Sequence, residues 1–140
     1  MGKRRTAREL ALKFLYQTEF NPESPDSELD PFCERANVSG EIQNFMRALI
    51  KKLLLHEKEV DELLKKSSAH WSPDRMAVID KNIIRLGICE LLFDSTTPPK
   101  VVINEAVEIA KKYGTEESPD FINGILDKVM NDSATSGRVS

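Results

Sequence analysis

Apolar residues recur along the chain at the three- and four-residue spacing of amphipathic helices. The spacing covers a first segment ending near Phe20, a second over 42–64 with a predicted break near His56, and two more over 101–113 and 122–129. No alternating strand pattern of useful length is present. The sequence therefore predicts an all-α fold of six or seven helices, forming one bundle-like domain over 1–130, and a disordered C-terminal tail over 131–140.

Proline, glycine and helix-capping residues predict where the helices end. The proline-rich stretch 21–39 reads as a loop with one short helix around Cys33. Ser72-Pro73-Asp74 predicts the start of a mostly apolar, central helix over 73–93, with Trp71 packed against Met76. We expect Gly114 to end a helix in a left-handed cap and Gly124 to allow close helix packing.

The charge is uneven along the chain. Its 20 Lys and Arg against 23 Asp and Glu give a net charge of -3. Four of the cations, Lys3, Arg4, Arg5 and Arg8, fall in the first eight residues without an acid, so the remainder carries -7. A cationic end on an acidic body suits a localised anionic partner, although a solvated basic tail would show the same pattern.

The motifs of several enzyme classes are missing from the sequence. His56-Glu57 begins like a zinc-binding HExxH, but Val60 stands where the second histidine is required. There is no GxxxxGK[ST] or GxGxxG motif, and Cys33 and Cys89 form no CxxC pair. We read His70 as a surface histidine and the paired acids as solvated helix faces. The sequence predicts no enzymatic activity, metal or cofactor.

No apolar run is long enough to span a membrane, and no secretory segment is present. The Met1-Gly2 start fits a myristoylation pattern only loosely, and the acidic residues of the first helix are unusual in a transit peptide. We expect a cytoplasmic protein without a membrane partner.

Nucleic acid is the partner that the first helix fits best. Lys and Arg neutralise phosphates, and an aromatic ring can stack on an unpaired base. Arg4, Arg5 and Arg8 lie within about one turn of each other, and Tyr16 follows two turns beyond Arg8. Tyr16 could equally be a core residue with its hydroxyl at the rim.

Four segments of the chain, in order and spacing, resemble the NusB family. They are RELALKFLYQ from Arg8, VIDKNIIRLGICEL, VVINEAVEIAKKYG and SPDFINGILDK, and the resemblance covers residues 4–130. It implies an all-helical fold of two small subdomains. It also implies binding of single-stranded boxA-type RNA from ribosomal RNA leaders, together with the ribosomal protein NusE, in a complex on RNA polymerase that prevents premature termination.

The resemblance also implies site residues. RNA-binding positions are Lys3, Arg4, Arg5, Arg8, Tyr16, Lys81, Tyr113, Phe121 and Asn123, and the partner-binding positions are Asp80 and Arg85. Asp80 also stands out from the residues alone, because an acid in a mostly apolar helix needs a partner. For Phe121 and Asn123 a structural role, in packing and in satisfying backbone groups, is an equally good interpretation.

Two other functions remain open at this point. A NusB-like domain also forms the N-terminal part of a ribosomal RNA cytosine methyltransferase. A chain ending at Ser140 leaves no room for the cofactor-binding domain of such an enzyme. This interpretation therefore requires that the chain be a fragment of the methyltransferase. A homodimer that hides its RNA surface is the other alternative.

Overall fold

The computed structural model describes residues 2–21, 23–68 and 75–135. Within these ranges it contains α-helices and no strand. They are α1 (Gly2–Glu19), α2 (Pro25–Arg35), α3 (Gly40–Leu55), α4 (Glu57–Ser67), α5 (Val78–Phe93), α6 (Pro99–Tyr113) and α7 (Ser118–Thr135). The predicted all-α fold is confirmed, as is the break between two helices at His56.

The chain divides between Lys51 and Lys52 into two compact units, in agreement with the expected two subdomains. In the first unit α1 packs on α2, and the rings of Phe14 and Phe32 meet edge to face at 5.3 Å. The apolar face of α1 is buried as the spacing predicts, with Ala7, Ala11 and Phe14 fully inaccessible to solvent. This burial anchors the basic start of the chain within a folded helix.

The second unit is built around α5, which contacts α4, α6 and α7. Every residue of α5 from Asn82 to Leu91 is buried, so this helix is central, as its apolar circumference predicts. The close approach of α5 to α7 depends on Gly87, where an added Cβ would lie 2.8 Å from Leu126 Cδ1. Gly124, by contrast, has open space around it, so the expectation that it allows close packing was wrong.

Several predicted helix limits differ from the structure. Stretch 21–39 contains the eleven-residue α2 rather than a short helix, and Pro31 lies inside it. Its buried Leu29 and Cys33 provide packing that offsets the hydrogen bond missing at proline. α5 begins at Val78 instead of residue 73, and α7 continues to Thr135, past the boundary predicted at residue 130. His70, Trp71, the Ser72-Pro73-Asp74 cap and residues 136–140 lie outside the described residues.

Gly114 follows α6 as predicted, but its conformation is not left-handed. Its φ of -93° and ψ of -163° are extended values that any residue can adopt. The space around it is what requires glycine, since an added Cβ would lie 2.5 Å from Ser118 Oγ and 2.6 Å from Ser118 Cβ. The requirement for glycine comes from Ser118 at the start of α7. A rule based on the residues of the turn alone does not include this neighbour.

Candidate nucleic-acid interface

Three of the four cations at the start of α1 contact two residues of α3. Lys3 Nζ lies 3.1 Å from Glu41 Oε1, and both side chains are more than half exposed. The guanidinium carbons of Arg4 and Arg8 lie 4.9 and 5.2 Å from the centre of the Phe45 ring. This is cation–π distance, so one ring contacts two arginines.

The burial of these cations separates their roles. Lys3 and Arg4 are exposed and Arg5 is half-buried, which leaves their charge accessible to an anionic ligand. Arg8 is only 5% exposed and lies in the core of the first unit. Arg8 therefore presents little surface to a ligand, and its contact with RNA stays a prediction.

Two exposed aromatic side chains lie at the end of α1, Tyr16 within the helix and Phe20 directly after it. Tyr16 is 45% exposed and Phe20 is 66% exposed, and their rings meet edge to face at 5.3 Å. Tyr16 is therefore not a core residue, and its contact with RNA stays a prediction. An exposed pair of rings offers flat surfaces on which unpaired bases can stack.

In the second unit, Asp80 and Phe121 line one cavity of about 180 Å³. Its wall also includes Arg75, Glu117 and Ser118. Asp80 Oδ1 is buried and finds no hydrogen-bond partner among the residues that the structure describes. An unsatisfied buried acceptor is costly, so a hydrogen-bond donor is expected at Asp80 Oδ1.

Arg85 takes part in a network within its own chain. Its Nη2 donates to Glu57 Oε2 at 2.8 Å and its Nε donates to Asp61 Oδ1 at 3.0 Å, which ties α5 to α4. Its Nη1 donates to Asn82 Oδ1 at 2.9 Å. The side chain is 9% exposed. These three acceptors give Arg85 a structural role, and its binding of a partner stays a prediction.

The other predicted residues are spread over the second unit. Lys81 and Tyr113 are half-buried, and Lys112 Nζ lies 5.3 Å from the centre of the Tyr113 ring. Asn123 is exposed and lines a groove of about 490 Å³ between α6 and α7, together with Lys100 and Lys111. Asn123 therefore does not share the Asp80 cavity.

His56 and the two cysteines have structural positions. His56 stacks on Phe93 with ring centres 3.7 Å apart, and its Nδ1 lies 3.1 Å from Glu59 Oε1. Burial raises the pKa of the Cys89 thiol to about 12, with a smaller contribution from Glu90, and burial also raises the pKa of Cys33. Within the described ranges no group of three His, Cys, Asp or Glu could hold a metal ion.

Sequence reasoning missed Phe45 and Phe20. Phe45 falls within the apolar spacing of α3 and reads as an ordinary core residue, since nothing in the spacing shows two arginines on its ring. Phe20 was treated only as the end of α1. The available signal was its separation of four residues from Tyr16, which keeps the two rings close although Phe20 follows the last residue of α1.

Comparison with known proteins agrees with the resemblance seen in the sequence. Residues 5–131 match the NusB family. The chain belongs to that family. It is 45% identical over 131 residues to a transcription antitermination protein NusB from Desulforapulum autotrophicum, covering 92% of each chain.

Solved structures give the same result for the fold. The chain matches NusB of T. maritima with a TM-score of 0.87 and 34% identity over 96% of this chain and 95% of the other. It also matches a chain in the structure of the antitermination factors NusB and NusE in complex with dsRNA. The TM-score is 0.83 and the identity is 27%, over 93% of this chain and 97% of the other. None of the described helices is long and apolar enough to cross a membrane.

Proposed function

We propose that this chain is a transcription antitermination factor that binds single-stranded boxA-type RNA of ribosomal RNA leaders together with NusE. In this proposal the protein–RNA complex joins elongating RNA polymerase in the cytoplasm and promotes read-through of terminators. The observation that carries the proposal is the match, over 93% of this chain, to a NusB solved with NusE and RNA. That RNA is double-stranded, so the preference for a single strand is our inference from the side chains.

The first unit supplies groups suited to a single strand. Lys3, Arg4 and Arg5 provide positive charge for phosphates, and the Tyr16–Phe20 pair provides exposed rings for stacking. An exposed aromatic ring can stack on the flat face of any base that is not already paired in a helix. Positive charge combined with exposed rings therefore favours unpaired RNA. The start of α1 is the part of the chain where cations are concentrated without acids, which favours attraction of phosphates there.

The second unit supplies a different kind of contact. The Asp80 cavity has a buried acceptor and an aromatic wall, which suits a cationic or amide donor from NusE. Lys81 precedes the buried stretch of α5 and remains a candidate RNA contact beside it. Tyr113 and Asn123 remain candidates for RNA from the resemblance alone.

The proposal contains no catalytic step, and the chain acts by binding. The alternative is that it serves as the RNA-binding domain of a ribosomal RNA cytosine methyltransferase. Binding of NusE distinguishes the two, because a domain that only delivers RNA to an attached methyltransferase has no need of that partner. A homodimer that hides the RNA surface would appear as a binding curve that rises less steeply with chain concentration than single-site binding does.

Titration of labelled boxA-type RNA and of a scrambled strand, each with and without NusE, tests the proposal. Fluorescence anisotropy is measured at two salt concentrations. We expect the boxA strand to bind more tightly than the scrambled strand, and NusE to increase this difference. Equal affinity for the two strands in the presence of NusE would reject boxA recognition.

The salt dependence tests whether the cations of α1 contact phosphates. Arg4→Ala combined with Arg5→Ala should lower the slope of log affinity against log salt by about 1.4, at roughly 0.7 per contact. Lys65→Ala combined with Lys66→Ala removes the same charge from an exposed part of α4 and should leave the slope unchanged. Equal changes in the two double variants would indicate a general charge effect instead of contacts at α1.

A further inference from the structure

Phe45 of α3 is an aromatic residue without an assigned role beside the cations of α1. Its ring centre lies 4.9 Å from the guanidinium carbon of Arg4 and 5.2 Å from that of Arg8. We propose that Phe45 is a positioning residue for RNA recognition, which holds the Arg4 guanidinium in place before RNA arrives. This inference rests on the proposed function, since it concerns the same surface of α1.

The two arginines on the ring differ in their exposure. They are four residues apart on α1, so their side chains lie on one face and can reach a single ring. Arg8 is 5% exposed and forms part of the core, whereas Arg4 is exposed. Arg8 and Phe45 therefore form a fixed support, and Arg4 is the member of the group that can still reach a ligand.

A second contact joins the same two helices, but it is too exposed to restrain the start of α1. Glu41, one turn before Phe45 on α3, pairs with Lys3 at 3.1 Å. The two side chains are 63% and 69% exposed, and ion pairs of this kind contribute little because water and salt screen them. The half-buried ring of Phe45 is less exposed than this ion pair, so it is the contact to which we assign the positioning role.

A restrained arginine binds with a smaller entropy penalty. A free arginine must give up many rotamers when it contacts RNA, and one already held on a ring gives up fewer. Loss of the ring should weaken RNA binding by roughly 2- to 10-fold, the range expected for ordering one long side chain. The number of phosphate contacts does not change, so the salt slope should remain that of the unmodified chain.

A double-mutant cycle tests the inference on the full chain with boxA-type RNA and NusE. Phe45→Leu removes the ring and keeps an apolar side chain, and Phe45→Tyr retains the ring. We expect Phe45→Leu to weaken binding and Phe45→Tyr to restore it. In the Arg4→Ala background, Phe45→Leu should have no further effect, because the side chain that it positions is gone. Equal losses in both backgrounds would overturn the proposal.

Phe32→Leu is the matched control, because Phe32 contacts Phe14 in the same unit. It should lower thermal stability without weakening RNA binding. A loss of affinity equal to that of Phe45→Leu would show a general effect on folding and would also overturn the proposal.

A measurement without RNA separates this inference from the proposed function. In the free ¹⁵N-labelled chain, the ring should shift the Arg4 Hε resonance, identified by its loss in Arg4→Ala, and Phe45→Leu should abolish the shift. If the shift is present and Phe45→Leu leaves RNA affinity unchanged, the positioning role is wrong while the proposed function stands. If the unmodified chain fails to bind RNA, both fail.

Discussion

Replacement of Arg85 by methionine distinguishes a structural arginine from a partner-binding one. Methionine keeps an apolar side chain of similar length and removes the three hydrogen bonds to Glu57, Asp61 and Asn82. The carboxylates of Glu57 and Asp61 are 52% and 48% exposed, so water can hydrate them after the substitution. Loss of their ion pairs with Arg85 therefore costs little stability. Asn82 is fully buried and cannot be hydrated in the same way.

The expected loss of stability follows from that difference. A buried amide left without its donor costs about 1–3 kcal/mol, and breaking a buried ion pair costs about 3–5 kcal/mol. Because only part of this network is buried, we expect Arg85→Met to lower the free energy of unfolding by about 2–3 kcal/mol. At roughly 2–4 °C per kcal/mol for a chain of this size, the melting temperature should fall by about 4–12 °C.

Urea unfolding followed by circular dichroism measures the stability, and titration with NusE and RNA well below the melting temperature measures binding. We expect lower stability with unchanged affinity. Glu108→Gln is the control, since Glu108 pairs with Lys111 at 3.0 Å on the surface of α6 and its loss should cost under about 1 kcal/mol. Unchanged stability together with loss of NusE binding would refute the structural role and restore Arg85 as a partner contact.

Three further substitutions and one labelling experiment test other parts of the structure. Asp80→Lys should weaken assembly with NusE or RNA while the helix content measured by circular dichroism stays nearly constant; an unfolded variant would make Asp80 a structural acid. Gly114→Ala should destabilise by about 1–3 kcal/mol in thermal unfolding because its Cβ meets Ser118, whereas Gly124→Ala should stabilise by about 0.5–1 kcal/mol. Cys89 should resist a thiol reagent at pH 8 in the folded chain, because its raised pKa leaves the protonated form, and react after unfolding; fast reaction when folded would contradict its burial.

Helical spacing predicted most of the fold because burial of one face leaves a repeating pattern in the sequence. It placed α1, the break at His56 and the central position of α5 correctly. It failed where local rules compete with packing. Pro31 suggested a loop, but the burial of Leu29 and Cys33 holds α2 together around it.

The candidate site was less accessible to sequence reasoning because its roles depend on contacts between distant residues. Arg85 meets acceptors 24 and 28 residues away, and nothing in the local sequence distinguishes it from an exposed arginine. Arg8 looked like the other cations of α1 until its burial was known. Asp80 was found from the sequence, since an acid within an apolar helix stands out without any contact.

Reconstituted transcription measures the central claim most directly. The template carries a boxA-type element upstream of a terminator, and RNA polymerase, NusE and the chain are supplied as purified components. The account predicts that read-through increases only when NusE and the chain are both present, and that a scrambled element removes the increase. Read-through that is the same with and without the chain, at concentrations that saturate the RNA in the titration, would contradict the account.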